Sequence, residues 1–554
     1  MSRDHEKQRA SSRRGRESKD PPSRTRRRDA AAWIVAALAL AANLPVLLAG
    51  FVFDDHSIVE DNRRVAEMQL ATIWATSYWG TPDRVGEYRP FVMSTYALEH
   101  GLLGPSPGHF HAVNWLLHAF VAVSVLLAGR AIGLSRRAAA IAAGLFAVHP
   151  IHLDAIAPIV GRAELFAAFA LTGGTMLWVR IRRESALRPG PLLALAACVT
   201  LGACSKESAL AAVPLLVAVE ILIVGRSGKG RTSLAATAVV ALGVVAYLIA
   251  RVVVLGGLVP SEGSSFTEVA NPLVDEALGV RLLTAASILG TYLRIFLWPA
   301  NLSPSYAYDR LPIMRSAADP SVWLPLGVLA AVIALAAACV RRRPAVTVAI
   351  VAFLAPYSIV ANAAFPIGTM LAERLFYLPS VGLAWLIGLA VSDATDRLAG
   401  GWLSDPKRLA AAVAIPALAL TIASFERAGD WRDEEALFRE ALRVYPRNAG
   451  MWLTLGELAI RGDRYALGME RMTRVTEIIP DFSKAWLDKG TMHAALGQMT
   501  PARDALKRAV ELDPRNPFAL RNLAVVERQL GNLDAGQILD ARAAEIESAR
   551  KSSR

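Results

Sequence analysis

The chain has 554 residues, of which 54% are hydrophobic and 19% charged, and its mean hydropathy is +0.36. This composition is too apolar for a water-soluble globular protein of this size, so we expect a membrane protein. The cysteines Cys198, Cys204 and Cys339 all lie in apolar stretches, which gives no pattern for a disulfide or thiolate-metal framework.

The formal net charge of +12 is concentrated at one end of the chain. Residues 1–28 hold eleven Lys or Arg against four Asp or Glu, and this predicts a disordered basic tail over 1–29. Arginines directly before a first apolar stretch orient it with the tail in the cytoplasm and contact anionic lipid headgroups. We therefore expect membrane lipids, and no nucleic acid, as partners of the tail.

Apolar segments of membrane-spanning length recur between residues 30 and 425, and predict a polytopic helical domain. A helix needs about 20 apolar residues to cross the hydrocarbon core. Eleven segments fit, near 30–50, 109–129, 137–157, 159–181, 190–205, 208–225, 232–256, 322–340, 344–364, 371–391 and 408–425.

A twelfth apolar segment, 280–299, carries Arg281 and Arg294, and its placement decides the topology. The N-terminal tail and four later arginine clusters all belong in the cytoplasm by the positive-inside rule. They agree only if 280–299 lies at the outer interface, which leaves eleven crossings. An odd number places the C-terminal domain outside the cytoplasm.

Residues 426–550 show a 34-residue period, the signature of tetratricopeptide repeats. Residues spaced 34 apart are Trp452, Trp486 and Leu520, together with Gly456 and Gly490, Gly497 and Gly531, and Pro480 and Pro514. About three repeats and a partial one are predicted, and such stacked helix pairs form a groove for peptides or proteins, or a purely structural array. The predicted fold class is therefore all-α: a membrane helix bundle followed by a helical solenoid.

Polar residues predicted at the outer ends of the membrane helices converge on one cavity. Charged groups are costly in a bilayer, so they line cavities or lie at helix ends. The candidate site residues are Asp54, Asp55, Arg89, His149, His152, Arg162, Glu164, Lys206, Glu207, Glu373 and Arg374, with His111 and Asn114 on one face of a helix that also carries His118.

Each group of candidates also has a simpler interpretation. Asp54 and Asp55 can be solvated loop carboxylates. His149 and His152, with Asp154, can ligate a divalent metal ion or serve as helix caps and hydrogen-bonding groups, and no complete ligand set is evident. The adjacent pairs Lys206–Glu207 and Glu373–Arg374 can neutralise one another, or offer a cation to a lipid phosphate.

Several stretches resemble the TMTC family, the transmembrane O-mannosyltransferases with C-terminal tetratricopeptide repeats, of the GT-C class of glycosyltransferases. They are FDDHSIVEDN at 53–62, YRP at 88–90, HFHAVNWLLHA at 109–119, LFAVHPIHLDAIAPIVGRAEL at 145–165, SKES at 205–208 and AERLFYLPSVG at 372–382. The resemblance covers residues 30 to 545. The basic tail lies outside it, the repeat array is shorter than in animal members, and the Ala- and Arg-rich composition suggests a bacterial relative.

The resemblance implies transfer of a mannose-like sugar from a polyprenyl phosphate to Ser or Thr hydroxyls of proteins, outside the cytoplasm. Asp54 or Asp55 would act as the base, with a slight preference for Asp54. Arg374, Lys206 and Arg89, then Arg162, would stabilise the leaving phosphate. His149 and His152 would orient the donor phosphate or a bound divalent ion, and the repeats would present an acceptor polypeptide.

Two other functions remain open. The first is a GT-C enzyme with a lipid or glycan acceptor, whose repeats recruit partner enzymes. The second is a non-catalytic scaffold whose repeats assemble an envelope complex. In a bacterium, the protein would lie in the inner membrane with its repeats in the periplasm.

Overall fold

A computed structural model describes residues 26–80, 86–184, 186–225, 230–257, 271–306, 311–397 and 406–552. This part of the chain is helical and contains no strand, and the predicted all-α fold class is confirmed. The predicted basic tail lies outside the described residues, except for its last four positions, which begin the first helix.

Helices of eight residues or more are numbered here in chain order. The first thirteen are α1 Arg26–Ala42, α2 Pro90–Leu103, α3 Pro107–Ala131, α4 Arg136–Val148, α5 Arg162–Arg183, α6 Pro189–Ala203, α7 Ala212–Val219, α8 Gly230–Leu255, α9 Leu278–Leu297, α10 Pro320–Cys339, α11 Pro344–Val360, α12 Tyr377–Arg397 and α13 Pro406–Ala428. The others are α14 Glu434–Val444, α15 Ala449–Arg461, α16 Tyr465–Ile478, α17 Ser483–Ala495, α18 Met499–Leu512, α19 Pro517–Gln529 and α20 Leu533–Ser552. Shorter helices are Arg63–Ala66, Leu70–Ala75 and Leu153–Ile156.

Eight helices of the described chain are long and apolar enough to cross a membrane, and α9 is one of them. A ninth candidate is α4 together with Pro150–Ile156, which are bent by 53° relative to each other. Three shorter apolar helices correspond to α1, α6 and α11. Without α9, the seven other long helices, the bent pair and the three shorter helices overlap the eleven apolar segments predicted from sequence. The number of crossings stays a prediction.

Both ends of α9 contact the same end of the helix bundle. Near its start, Arg281 donates hydrogen bonds to the carbonyl oxygens of Ala363 (3.5 Å) and Ala364 (3.3 Å), which follow α11. Near its end, the carbonyl oxygen of Phe296 accepts a hydrogen bond from His149, directly after α4, at 2.8 Å. The segments after α11 and α4 meet at the candidate site described below. A helix of 20 residues is about 30 Å long whether it crosses the membrane or lies along its surface, so the interfacial placement of 280–299 stays a prediction.

Close backbone approach joins α12 to its neighbours. A Cβ atom added at Gly382 would lie 2.3 Å from the backbone nitrogen of Phe353 on α11, and one at Gly388 would lie 2.3 Å from the carbonyl oxygen of Ala138 on α4. Only glycine allows contacts this short. The ring of Tyr377, the first residue of α12, then meets that of Phe146 near the end of α4, with centres 5.1 Å apart. The start of α12, and with it the candidate residue Arg374, therefore lies against the end of α4.

The helices from α15 to α20 form three antiparallel pairs with equivalent contacts 34 residues apart. The indole N–H of Trp452 donates to the carbonyl oxygen of Pro446, and that of Trp486 to Pro480, each at 2.8 Å. A Cβ atom at Gly490 would lie 2.6 Å from Leu506, so glycine allows this helix pair to pack closely. We call residues 434–552, with α14 at their start, the repeat array.

The turn within each helix pair uses the same backbone conformation. Gly497 and Gly531 have φ angles of +74° and +89°. Asp463, at the equivalent position of the first pair, has φ of +55°. A left-handed residue after a helix satisfies the carbonyl groups of its last turn, which explains why glycine recurs at this position.

Candidate active site

The loop after α1 carries the two predicted acidic residues in different environments. Asp55 is fully buried, and its carboxylate accepts hydrogen bonds from the backbone N–H groups of Val160 (2.9 Å), Ile159 (3.0 Å) and Val52 (3.3 Å). Burial raises the pKa of Asp55 to about 7, although the three N–H groups favour the ionised form. Asp55 therefore joins the first loop to the turn before α5.

Asp54 is half-buried, and its carboxylate accepts no hydrogen bond from the residues that the structure describes. Its charge acts on Arg374 and on the buried Tyr78. Asp54 is therefore a carboxylate that remains available for a ligand, within electrostatic range of a cation.

Arg374 and Asp154 form the next part of the site. One carboxylate oxygen of the buried Asp154 accepts the backbone N–H of Arg374 at 2.9 Å, and the other lies 3.6 Å from the Arg374 guanidinium. The side chain of Arg374 is 35% exposed. Asp154 therefore orients the Arg374 side chain and leaves part of its guanidinium exposed.

Lys206 lies beside these residues and forms an ion pair with Glu164, which is buried at the start of α5. Burial lowers the pKa of Lys206, and the attraction of Glu164 opposes this change. The charge of Glu164 also acts on Arg374 and Arg89. The candidate site thus combines three carboxylates, Asp54, Asp154 and Glu164, with three cations, Arg374, Lys206 and Arg89.

Arg89 is held in a network of its own. It contacts Glu207 at 3.1 Å and Glu87 at 3.0 Å, and its guanidinium stacks 5.0 Å from the centre of the Tyr78 ring. Arg251 on α8 binds the other oxygen of Glu207 at 3.0 Å. Burial lowers the pKa of Arg89, but the charges of Glu207 and Glu87 outweigh this effect and hold the pKa above its ordinary value.

Arg162, Asn114 and His111 lie in the interior of the bundle. The fully buried Arg162 donates to Asn114 (2.8 Å) and Glu99 (2.6 Å), among other acceptors. Asn114 in turn donates to the carbonyl oxygen of Pro158 at 3.0 Å, and the ring of His111 lies against backbone carbonyl groups. These contacts hold the turn before α5 in place, and the Arg162 guanidinium faces protein rather than open space.

His149 and His152 are buried, and their ring nitrogens contact protein groups. His149 donates to Phe296 and accepts the backbone N–H of Ile151 at 3.2 Å, so it caps the short turn that follows it. His152 contacts the carbonyl oxygen of Phe146 and the hydroxyl of Ser380, both at 2.8 Å. Among the described residues, no group of three or more His, Cys, Asp or Glu is arranged to hold a metal ion. The geometry thus favours the capping and hydrogen-bonding interpretation over a metal site.

Curated proteins of known name align with most of this chain, although no family model matches it. It is 26% identical over 496 residues to Protein O-mannosyl-transferase TMTC3 of Mus musculus, covering 85% of this chain and 53% of that protein. It is 28% identical over 471 residues to Protein O-mannosyl-transferase TMTC4 of Homo sapiens, covering 75% and 62%. The chain is TMTC-like.

A further relative is Protein O-mannosyl-transferase Tmtc2 of Drosophila melanogaster, with 32% identity over 298 residues, covering 51% of this TMTC-like chain and 31% of that protein. The chain spans about half the length of the TMTC3 relative.

Two solved structures resemble the chain weakly. One is the archaeal oligosaccharyltransferase AglB from Archaeoglobus fulgidus in complex with an inhibitory peptide and a dolichol-phosphate, with a TM-score of 0.43 and 16% identity over 73% of this chain and 56% of that one. The other is the MamA RS-1 ArsTM double mutant, with a TM-score of 0.21 and 17% identity over 29% of this chain and 96% of that one. Scores this low carry no argument about activity.

In the TMTC-like chain, neighbours in sequence are not partners in space. Glu373 does not neutralise Arg374: its carboxylate accepts a hydrogen bond from Arg427 at 2.9 Å and from the hydroxyl of Tyr306 at 2.6 Å. The neutralisation hypothesis is therefore wrong for Glu373 and Arg374, and Arg374 is left partly open. Lys206 forms its ion pair with Glu164, although its charge also acts on Glu207.

Sequence reasoning missed the residues that support the site. Arg427 lies at the end of α13, Arg251 inside α8, and Glu99 on α2. An arginine within an apolar helix was the available signal for Arg251, because such a charge needs a partner inside the protein. Arg427 and Glu99 carry no comparable signal, because charged residues are ordinary at the end of a helix.

We expect Asp55→Ala to destabilise the protein. Each buried backbone N–H that loses its acceptor costs about 1 to 3 kcal/mol. The measurement is the thermal unfolding midpoint in detergent, with Asp54→Ala as the matched control because that carboxylate accepts no hydrogen bond from the described residues. Equal midpoints for the two variants would contradict a clamping role for Asp55.

Proposed function

We propose that this protein is a membrane glycosyltransferase of the GT-C class. It moves a mannose-like sugar from a polyprenyl-phosphate donor to Ser or Thr hydroxyls of polypeptides on the outer face of the membrane. The observation that carries this proposal is that Asp54, a carboxylate with no described hydrogen-bond donor, lies within electrostatic range of the partly exposed Arg374 at one end of an apolar helix bundle.

The chemistry of transfer requires these two kinds of group. A Ser or Thr hydroxyl is a weak nucleophile at neutral pH, so a base takes its proton as the oxygen attacks the anomeric carbon. We assign this base to Asp54, because the Asp55 carboxylate is occupied by three backbone N–H groups. The proton moves to the carboxylate, and the bond between the anomeric carbon and the phosphate oxygen breaks.

The phosphate that leaves gains negative charge, which fixed cations stabilise. Arg374 is the first candidate, because its guanidinium is oriented by Asp154 and partly open. Lys206 lies within the same electrostatic cluster, with Glu164 as its counter-ion. Arg89 is tied to Glu87 and Glu207, so we assign it the support of the pocket wall.

The position of the cluster suits a lipid-linked donor. The helices α8 and α10 are strongly apolar and mostly exposed along their length, with side chains such as Val253 and Leu324 open, and large apolar surfaces of this kind mark contact with a membrane. A polyprenyl chain in the bilayer would bring its phosphate to the end of the bundle, where Arg374 lies. The predicted orientation, with α1 entering from the cytoplasm, places this end and the repeat array outside.

The repeat array supplies the argument for a polypeptide acceptor. Stacked helix pairs with a 34-residue period form concave surfaces that bind extended peptides. The array begins directly after α13, beside the loop that carries Asp54. A lipid or glycan acceptor and a non-catalytic scaffold remain as outcomes of the test.

The test is sugar transfer by the purified protein in lipid vesicles. Labelled polyprenyl-phosphate mannose is supplied with a Ser- and Thr-containing peptide, with the Ala-substituted peptide as matched control, and with lipid and glycan acceptors in parallel. We expect alkali-labile label on the first peptide only. Label on a lipid or glycan would reject the polypeptide acceptor, and no label on any acceptor would favour the scaffold.

A further inference from the structure

The loop that carries Asp54 is bonded to the start of the repeat array. The backbone N–H of Gly50 donates to the carbonyl oxygen of Arg432 at 3.1 Å. The backbone N–H of Phe53 donates to the carboxylate of Glu434, the first residue of α14, at 2.8 Å. The rings of Phe53 and Phe438 meet edge to face, with their centres 4.8 Å apart. Phe53, which directly precedes Asp54, is therefore held in place by residues of the repeat array.

The backbone of Phe53 is in an unfavourable conformation. Its φ angle is +51°, in the left-handed region, which costs a residue with a side chain about 1 to 2 kcal/mol. Such a conformation persists only where the surroundings compensate for it. Here the compensation is the hydrogen bond to Glu434 and the contact with Phe438, and both belong to α14.

Glu434 is well placed for this contact. Its side chain is 9% exposed, so the hydrogen bond to Phe53 is shielded from water. The same carboxylate oxygen lies 3.5 Å from the Nε2 atom of His56, on the other side of Asp54. One carboxylate therefore contacts residues on both sides of Asp54 and Asp55 in the chain.

We propose that Glu434 is a positioning residue for sugar transfer: from the repeat array, it holds Phe53 in the left-handed conformation and so sets the direction of Asp54. This proposal rests on the proposed function. It gives the array a role in the chemical step itself, in addition to acceptor binding. A change in the seating of α14 would turn the Asp54 carboxylate away from the reacting hydroxyl.

The kinetic test compares Glu434→Ala with Glu440→Ala. Glu440 lies on the same helix and pairs only with Arg443 among the described residues, so its removal leaves the loop intact. With a short peptide acceptor, we expect kcat of Glu434→Ala to fall about tenfold to a hundredfold, as for a small misplacement of a catalytic group, with the KM for donor unchanged. Glu434→Gln keeps an oxygen that accepts the Phe53 N–H, so its kcat should lie between those of Glu434→Ala and Glu440→Ala.

A rescue experiment isolates the backbone effect. Glycine adopts positive φ without the steric cost that Phe53 pays. We expect the double variant Phe53→Gly, Glu434→Ala to transfer sugar faster than Glu434→Ala alone. A faster double variant would not reflect stability, since removing a large side chain does not repair a general loss of stability. A double variant no faster than Glu434→Ala would overturn the backbone argument.

The pH dependence gives a further readout. Contact with Glu434, and then with Glu60, raises the pKa of His56 to about 9. The groups facing it are Glu60 on its own turn and Glu434 on α14, and the charge of Arg461 acts on Glu434. A raised histidine pKa adds stability that is complete below about pH 6.5 and is lost as the pH rises through 9. We expect the unfolding midpoint to show this loss in wild type, and less of it in His56→Gln.

Hydrogen exchange tests the geometry without any need for activity. The Phe53 amide should exchange slowly in wild type and in Glu440→Ala, and faster in Glu434→Ala. Unchanged exchange in Glu434→Ala, or equal transfer rates for Glu434→Ala and Glu440→Ala while Asp54→Asn is inactive, would overturn the positioning role alone. A wild type that transfers no sugar would overturn the proposed function and this role together.

Discussion

Arg374→Ala is expected to lower kcat for sugar transfer by about a hundredfold to a thousandfold, the usual cost of removing one donor that stabilises a developing negative charge. The guanidinium is the open cation of the site, and Asp154 fixes its direction before the donor arrives. A group oriented in advance does not have to reorganise during the reaction, so its loss affects the transition state more than donor binding.

The measurement is kcat and KM with varied donor. Arg374→Lys keeps the charge but loses the planar fork of donors, and should recover only part of the rate. The control is Arg137→Ala, an arginine that pairs with Asp396 near the start of α4, away from the site. A rise in the donor KM with unchanged kcat would show that Arg374 only binds the donor.

Asp54→Asn is expected to reduce transfer by about a hundredfold to ten-thousandfold while leaving the fold intact, because general bases contribute factors of this size. The asparagine amide has nearly the same shape but does not accept the hydroxyl proton at neutral pH. The Asp54 carboxylate accepts no hydrogen bond within the described chain, so the substitution should leave the unfolding midpoint close to that of wild type.

The contrast with Asp55→Asn is the informative control for Asp54. Asp55→Asn places an amide among three backbone N–H donors, so its main defect should be stability and yield of folded protein. The rate per folded molecule should fall less than in Asp54→Asn. The opposite order would transfer the assignment of the base to Asp55.

The helical architecture was predictable because it depends on local periodicity. Apolar segments of spanning length and a 34-residue repeat are properties of short windows, and the equivalent contacts of Trp452 and Trp486 follow directly from the repeat. The placement of 280–299 is less local, because it depends on arginine clusters along the whole chain, and it stays a prediction.

The partners within the site were not predictable from adjacency in sequence. A side chain on a short turn points away from its neighbour, so Glu373 and Arg374 find different partners, Arg427 and Asp154. These partners lie on helices distant in sequence, and their choice depends on packing that a single sequence does not contain. The same limit applies to Phe53, whose left-handed conformation is visible only once α14 is in place.

A single-turnover reaction shows whether Asp54 activates a Ser or Thr hydroxyl for attack on a lipid-linked sugar. Purified wild type and Asp54→Asn, at matched folded concentrations, are loaded with labelled polyprenyl-phosphate mannose and mixed with the Ser- and Thr-containing peptide. We expect alkali-labile label on the peptide within one turnover of wild type, and transfer at least about a hundredfold slower in Asp54→Asn. Equal rates in the two proteins would contradict the role of Asp54 as the base.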